Sequence, residues 1–328
     1  MIPCTARRTT AVLMLLALPA LNGNAHGAAS EWPQRPIRLL VPFPPAGGVD
    51  TVARILTPRL HEALGQQWVI DNRAGAGGNI AAEIVARANP DGYTALLGFS
   101  TILTVNPGLY KLPFDVQKDL APVAMIAGAQ YMLALNASVK ASSVKELVAL
   151  AKAKPRSINY ASPGVGTAPF LAMELFKSRT GTDLVHIPYK GAAPATAALL
   201  AGEAQVLFGG LPAMLPHIAT GRLRGIAVSG RKRAEIAPDV PTMIESGYPN
   251  FEVKAWYALL VPSGTPAPII DRLQREVTKA LQAADVKEAI ARQGLEVETM
   301  GPRELATRIA EETKTWTKVI RDAGIRPE

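Results

Sequence analysis

The sequence predicts an α/β fold whose parallel sheets are covered on both faces by helices. Short apolar runs alternate along the chain with longer segments whose apolar residues recur at helical spacing. Glycine-rich loops repeatedly separate the end of such a run from the start of the following helix. Because ligands of open α/β sheets bind beyond the carboxyl ends of the strands, these loops are the first candidates for a binding site.

The composition is that of a packed protein and does not indicate a nucleic-acid partner. The chain has 328 residues, of which 48% are hydrophobic and 19% charged, so it suits one large or two medium domains. The net charge of +8 and the pI of about 9.6 come from scattered lysines and arginines, with no basic run longer than Arg231-Lys232-Arg233. Only 5% of residues are aromatic, and a basic stripe with stacking aromatics is missing. We expect the positive surface to attract acidic small molecules.

The segment 1–28 is predicted to be a secretory signal peptide. Arg7 and Arg8 precede an apolar run over residues 11–21, and small residues follow that run. A twin-arginine signal is the alternative, although the residues after the arginine pair fit it poorly. The only cysteine, Cys4, would leave with this segment, so the mature chain is expected to lack disulfides, thiol nucleophiles and cysteine metal sites. We therefore expect a protein exported to the periplasm.

The first glycine-rich loop follows the apolar run Ile37–Val41 and precedes a helical pattern that extends to Leu64. Its prolines fix the turn, and Gly47 and Gly48 allow the main chain to come close to a ligand. The first turn of the helix offers unpaired N–H groups and the positive end of the helix dipole, which favour an anion. The simpler interpretation is a strand-to-helix loop capped by Asp50.

The same order of strand, loop and helix recurs along the chain. A strand over 68–71 enters the loop 72–79 and a helix over 80–88, and the next strand, 93–98, is followed by Ser100. A new unit is predicted to begin near 127–131, after a strand over 120–126. Within it, Ser143 caps a helix with Glu146 three residues later. The further predicted strands are 132–135, 158–161, 184–187, 205–208, 223–228 and 253–260, and residues 268–328 are predicted to be mostly helical.

These patterns predict two α/β domains around a ligand cleft. Domain 1 is discontinuous and comprises residues 29–127 and 253–328, and domain 2 comprises residues 128–252. The strand at 253–260 is expected to return to the first domain. Glycine-rich loops from both domains would then face each other across the cleft and supply backbone donors from both sides.

Six motifs resemble those of the Bug family, the periplasmic solute-binding proteins of tripartite tricarboxylate transporters. They occur in family order across essentially the whole mature chain. The motifs are Trp32-Pro33 with Arg35-Pro36-Ile37, Pro42 through Asp50, Asn72 through Gly78, Tyr160 through Thr167, His186 through Gly191, and Val261 through Pro266. The resemblance implies a type II periplasmic binding protein fold that closes on a small organic carboxylate.

The resemblance also implies where the ligand binds. Two loops of domain 1 would hold it with Phe43, Ala46, Gly47, Gly48, Asp50, Ala76, Gly77 and Gly78. The facing loop of domain 2 would contribute Ser162, Gly164, Gly166 and Thr167. Residues at further strand ends complete the predicted set, namely Ser100, Tyr189 and Gly209. N–H and hydroxyl groups of this kind orient a carboxylate without a permanent ion pair.

Three positions depart from the common family pattern. This chain has Phe170 where family members commonly carry His, and Ala198 and Gly209 where they commonly carry Asp. If the acid at the last position holds a ligand amino group, Gly209 argues against an amino acid. A plain or aromatic carboxylate is favoured instead.

The sequence is also compared with the requirements of a receptor, an enzyme and a metal site. A receptor that signals to a membrane sensor kinase is the alternative, because it is compatible with the same fold. An exported hydrolase or isomerase would need a titratable pair between the loops, and Asp50 is the only evident candidate. The histidines His61, His186 and His217 share no metal-ligand spacing. We predict no catalysis, cofactor or metal, and a monomer whose partners are a small organic carboxylate and membrane transporter subunits.

Overall fold

The computed structural model describes Met1 and residues 32–326. It divides into two compact units, 1–32 and 33–328, and the described strands and helices belong to the second unit. The predicted signal peptide lies outside the described residues and stays a prediction. Within residues 32–326, no helix is long and apolar enough to cross a membrane.

Strands and helices alternate through this part of the chain, as the sequence predicts. The strands are β1 (Ile37–Val41), β2 (Trp68–Asn72), β3 (Thr94–Phe99), β4 (Leu120–Asn136), β5 (Asn159–Ser162), β6 (Val185–Pro188), β7 (Val206–Gly210), β8 (Leu223–Val228), β9 (Lys254–Pro262) and β10 (Glu296–Val297). The α-helices are α1 (Gly48–Leu64), α2 (Asn79–Ala86), α3 (Asn106–Leu109), α4 (Val116–Asp119), α5 (Val144–Ala153), α6 (Ala168–Thr180), α7 (Ala192–Ala201), α8 (Leu211–Ala219), α9 (Ala267–Gln282), α10 (Ala284–Ala291) and α11 (Pro302–Asp322). A 3-10 turn at Ala76–Gly78 precedes α2, and a π-helical turn at Thr101–Val105 precedes α3.

The strands form a mixed sheet, and the prediction of purely parallel sheets is wrong at its centre. The strand order is β2-β1-β3-β9-β4-β7-β5-β6, and β8 and β10 also pair with β4. β1 is parallel to β2 and β3, and β5 is parallel to β6 and β7. β4 and β9 are antiparallel to each other and to their other neighbours in that order. The chain runs along β4 toward the group of strands β5–β8, and it runs back along β9 after completing that group. The two strands therefore point in opposite directions.

β4 is one strand of 17 residues, where the sequence predicted separate strands over 120–126 and 132–135. Its first part pairs with β9, and its last part pairs with β7 and β8. The residues at 127–131, which indicated the start of a new unit, continue the strand because β9, β10 and β7 offer partners there. Register shifts after Pro122 and Met125 mark irregular pairing with β9. The short strand β10 also lies in a region predicted to be mostly helical.

Separate apolar clusters pack on the two groups of strands. The cluster around β1, β3 and β9 contains Leu40, Leu96, Ile102, Trp256, Leu260 and Ile309. A second cluster, around β4, β5 and β7, contains Leu133, Tyr160, Phe176, Phe208 and Phe251. Each fully buried large side chain contributes about 1.5–3 kcal/mol, so these clusters hold the sheet rigidly beneath the loops at its strand ends.

The C-terminal helix α11 is tied to β9 by a mostly buried ionic network. The carboxylate of Glu312 accepts hydrogen bonds from the indole Nε1 of Trp256 at 3.0 Å and from Nε of Arg308 at 2.7 Å. Arg308 also donates to Glu252, at 3.1 Å, and its side chain is only 9% exposed. Burial raises the pKa of Glu312, although the Arg308 guanidinium opposes that shift. The network therefore connects α11, β9 and the segment that precedes β9.

Candidate functional site

The loop between β1 and α1 leaves the first turn of α1 accessible. Gly47 is the N-cap residue in an extended conformation, and Gly48, the first residue of the helix, is exposed. Ala46 adopts a left-handed conformation with φ of 65°, and its N–H donates to Asp50 at 2.9 Å. Because the first turn has no preceding carbonyls to accept from it, its N–H groups are free to bind an anion.

Asp50 holds this loop in place and is not the N-cap residue that the simpler interpretation required. It is 1% exposed and lies in the first turn of α1, after the N-cap Gly47. Besides the Ala46 N–H, its oxygens accept from Nε of Arg54 at 2.8 Å and from Nδ2 of Asn72 at 3.0 Å. The Arg54 hydrogen bond lowers the pKa of Asp50, against the opposing effect of burial. The carboxylate is therefore ionised and already satisfied by donors of the protein.

The second predicted loop lies directly beside the first. Gly75, Ala76, Gly77 and Gly78 all have positive φ, from 47° to 127°. A Cβ on Gly78 would lie 3.2 Å from Cβ of Pro42 in the first loop and 2.4 Å from Cδ1 of Ile102. Only glycine fits that position, and these short distances show that the two loops are in contact.

Asn106 holds the second loop in place through hydrogen bonds. Its Nδ2 donates to the carbonyl of Gly77 at 3.2 Å and to Oδ1 of Asn79 at 2.7 Å, and the side chain is buried. Ser100, at the end of β3, is also buried, and its hydroxyl accepts from the N–H of Trp256 at 3.4 Å. The Ser100 hydroxyl is thus engaged in holding β3 to β9.

The loop after β5 is held by hydrogen bonds of its own side chains. Oγ of Ser162 accepts from the Gly164 N–H at 3.1 Å, and Oγ1 of Thr167 donates to the Gly164 carbonyl at 2.7 Å. Gly164 and Gly166 have φ of 129° and 78°, values that favour glycine. Thr167 is the N-cap residue of α6, but its side chain makes no capping hydrogen bond to that helix.

A contact between Ser162 and His186 was not predicted from the sequence. Oγ of Ser162 lies 2.7 Å from Nε2 of His186, whose ring packs between Tyr160 and Phe170 at 4.7 Å from each. Burial lowers the pKa of His186, so the neutral ring can accept from the serine. Ser162 is 0% exposed, and no carboxylate hydrogen-bonds His186 within the described chain. The pair therefore holds the loop after β5 against β6.

The remaining two predicted residues are Tyr189 and Gly209, and the structure shows a partner for the first and a close neighbour for the second. The hydroxyl of Tyr189 donates to Glu203 at 3.3 Å. A Cβ on Gly209 would lie 2.6 Å from Sδ of Met214, so the methionine fills the room that an aspartate would need at this position. Ala198, the other position where an acid is common in the family, is buried in α7.

The loop after β5 lies against the group of loops around α1. A Cβ on Gly166 would be 3.4 Å from Cδ2 of Leu109, the last residue of α3. Asn106, at the start of α3, holds Gly77 in turn. The structure therefore brings the starts of α1, α2 and α6 to one region of the molecule.

An aromatic strip at this region was also missed from the sequence. The rings of Phe43 and Phe99 are 6.2 Å apart, and those of Phe99 and Tyr257 are 5.2 Å apart. Oη of Tyr257 lies 3.2 Å from the position a Cβ on Gly48 would occupy. The continuous apolar run of β9 identifies Tyr257 as a residue of a buried strand, but only the pairing of β9 with β3 places it beside α1.

Two concavities of similar size lie away from these loops. One of about 700 Å³ is lined by charged residues, including Arg231, Glu252, Lys254 and Glu298. It contains none of the predicted ligand-binding residues. No group of three or more His, Cys, Asp or Glu side chains in residues 32–326 is placed to hold a metal ion.

Comparison with known proteins identifies relatives that match more than nine tenths of this chain. The family model described as the tripartite tricarboxylate transporter family receptor matches residues 52–325. Protein BugT of Bordetella pertussis is 40% identical over 301 residues, which cover 91% of this chain and 92% of that protein. A protein of Pseudomonas sp. strain P51, from the tcbD-tcbE intergenic region, is 37% identical over 96% of this chain and 94% of its own length.

Solved structures of this type are also similar. A TctC solute-binding protein from Polaromonas, without ligand, has a TM-score of 0.83 at 26% identity, covering 89% of this chain and 99% of that one. An R. palustris protein with adipate has a TM-score of 0.71 at 35% identity, covering 90% and 100%. MatC of Rhodopseudomonas palustris with bound malate has a TM-score of 0.68 at 31% identity, covering 88% and 100%. The fold is thus the predicted α/β fold of the periplasmic binding proteins.

Proposed function

The chain belongs to the tripartite tricarboxylate transporter receptor family of solute-binding proteins, and from this premise we propose that it captures a small organic carboxylate and delivers it to a membrane transporter of that type. The relatives with adipate and malate support a carboxylate ligand. The basic surface supports the same class of ligand, because the chain without Arg7 and Arg8 of the signal segment keeps a net charge of 8 − 2 = +6, which attracts anions.

The observation that carries the proposal is the meeting of three helix starts around accessible backbone. Gly48 begins α1, Gly77 lies just before α2, and Gly166 lies just before α6, and none of the three is buried. Helix N-termini and glycine backbone offer N–H donors to an anion, and glycine leaves room for its oxygens. We place the ligand among these loops, between domain 1 (29–127 and 253–328) and domain 2 (128–252).

Export through the segment 1–28 and action as a monomer in the periplasm complete the proposal. The transporter is expected to recognise the ligand-bound form, in which the domains close around the carboxylate. The observed geometry favours binding over chemistry, since Asp50 and Ser162 are occupied by protein partners.

Isothermal titration calorimetry of the exported protein against a panel of carboxylates tests this function. The panel comprises tricarboxylates, C4 to C6 dicarboxylates, aromatic acids, aspartate and glutamate. Saturable binding of at least one acid without turnover is expected. Well-folded protein that binds none of them would refute the proposal.

A matched pair of variants tests the location of the site. Gly48→Asp adds a carboxylate at the start of α1, and repulsion between like charges about 5 Å apart lowers affinity by about 3 kcal/mol, or roughly 100-fold. Gly301→Asp is the control, because Gly301 is the N-cap of α11 and a Cβ there would have only an ordinary contact, with Nε2 of Gln274 at 3.9 Å. Binding weakened equally by both variants, or by neither, would place the site elsewhere.

A further inference from the structure

The side chain of Tyr257 is mostly buried beside α1, and its hydroxyl remains accessible to solvent. The side chain is 8% exposed, and Oη has no hydrogen bond within the described chain. The group points at the start of α1, since a Cβ on Gly48 would lie 3.2 Å from it. A phenol O–H that hydrogen-bonds no group of the described chain is available to donate to a ligand bound at the start of α1.

Aromatic rings lie next to that of Tyr257. Phe99 packs on the Tyr257 ring at 5.2 Å, and Phe43 packs on Phe99 at 6.2 Å. Tyr131, on β4, is close enough for its phenol to interact electrostatically with that of Tyr257. Burial raises the pKa of both phenols, so both stay protonated at neutral pH and Tyr257 can donate.

No carboxylate among the predicted site residues is free to pair with an ammonium group. The oxygens of Asp50 accept from Ala46, Arg54 and Asn72. At Gly209, the room for an acidic side chain is filled by Met214. An amino group brought into this region would lose its hydration without gaining an anionic partner, which disfavours it.

We propose that the Tyr257 hydroxyl donates a hydrogen bond to the carboxylate bound at the start of α1, and that the aromatic strip of Phe43, Phe99 and Tyr257 selects carboxylates with an uncharged body over α-amino acids. This inference rests on the proposed function and names its substrate class. It assigns to Tyr257 a direct contact with the ligand and to the two phenylalanines a contact with the ligand's carbon chain.

The test is calorimetry on the exported protein with glutarate and glutamate, which have equal chain length and differ by one ammonium group. Adipate, bound by a similar protein, is the third ligand. We expect glutarate or adipate to bind, and glutamate to bind at least about 10-fold more weakly. Tyr257→Phe keeps the ring and removes the donor, and should weaken dicarboxylate binding roughly 10- to 100-fold, the range for a hydrogen bond to a charged group.

Tyr248→Phe is the matched control, since this tyrosine packs against the other apolar cluster and should leave affinity unchanged. If Tyr257→Phe does not fold, Gly48→Ala replaces it, because its methyl group would come within 3.2 Å of the hydroxyl and should also weaken binding. Unchanged dicarboxylate affinity in the folded variant would overturn the role of Tyr257. Glutamate bound as tightly as glutarate would overturn the selectivity. Binding of no carboxylate by the wild-type protein would overturn the proposed function and this inference together.

Discussion

Replacing Asp50 by asparagine is expected to destabilise the protein through the loop before α1. The carboxylate accepts hydrogen bonds from the Ala46 N–H, from Nε and Nη2 of Arg54, and from Nδ2 of Asn72. An amide keeps one acceptor oxygen and places an NH2 group at the other position. At least one of the Ala46 and Asn72 donors then loses its acceptor.

The expected loss of stability in Asp50→Asn depends on how exposed the hydrogen-bond partners of Asp50 are. The Arg54 side chain is 60% exposed, so screening by solvent limits the ion pair to at most about 1 kcal/mol. The lost hydrogen bond to a charged acceptor contributes about 1.5–3 kcal/mol. Together they give a loss of about 2–4 kcal/mol in the free energy of unfolding, which corresponds to a melting temperature lowered by roughly 5–10 °C.

Urea and thermal unfolding followed by circular dichroism measure this loss. Arg54→Ala separates the two contributions and should cost no more than about 1 kcal/mol. Asp285→Asn is the matched control, because this aspartate is 60% exposed, pairs with the partly exposed Arg59 and should change stability by less than about 0.5 kcal/mol. An Asp50→Asn protein within 0.5 kcal/mol of wild type would refute the assignment of Asp50 as the residue that holds the loop.

Three further predictions concern stability. Because the folded-state pKa of Asp50 is lowered, the stability that its carboxylate contributes is present above the ordinary aspartate pKa of about 3.9 and is lost as pH falls through the lower folded-state pKa. In urea unfolding between pH 6 and pH 3, the difference in free energy of unfolding between wild type and Asp50→Asn should therefore shrink toward acid. A difference that stays constant would contradict this prediction. Glu312→Ala removes the acceptor of the Arg308 guanidinium and of the Trp256 indole. We expect the free energy of unfolding, measured with a chemical denaturant, to fall by about 3 kcal/mol. A loss below about 1 kcal/mol would mean that the network contributes little to stability. Gly78→Ala should lower the free energy of unfolding by about 2–4 kcal/mol, and Gly181→Ala by only about 1 kcal/mol. Both glycines have positive φ, but only the methyl group added at Gly78 collides with Ile102. Equal losses in the two variants would contradict the steric argument.

The sequence by itself determined the elements whose signals are local. The apolar run Ile37–Val41 forms β1 with the predicted bounds, and Ser143 accepts the Glu146 N–H at 3.2 Å as the capping pattern requires. The glycine-rich loops lie at the strand ends because positive φ and close backbone approach leave few other residues possible. The family motifs could also be recognised from the sequence, because each is a short continuous stretch of residues.

Only the tertiary structure decided which of these loops meet and which side chains are already occupied. Strand direction depends on where the chain returns, so the antiparallel pairing of β4 and β9 and the continuity of β4 carried no local signal. Asp50 is satisfied by Asn72, and Ser162 by His186, through contacts between separate strands and loops. Tyr257 reaches α1 only because β9 pairs with β3. Hydrogen-bond partners distant in the chain are fixed by packing, and packing is a property of the assembled sheet.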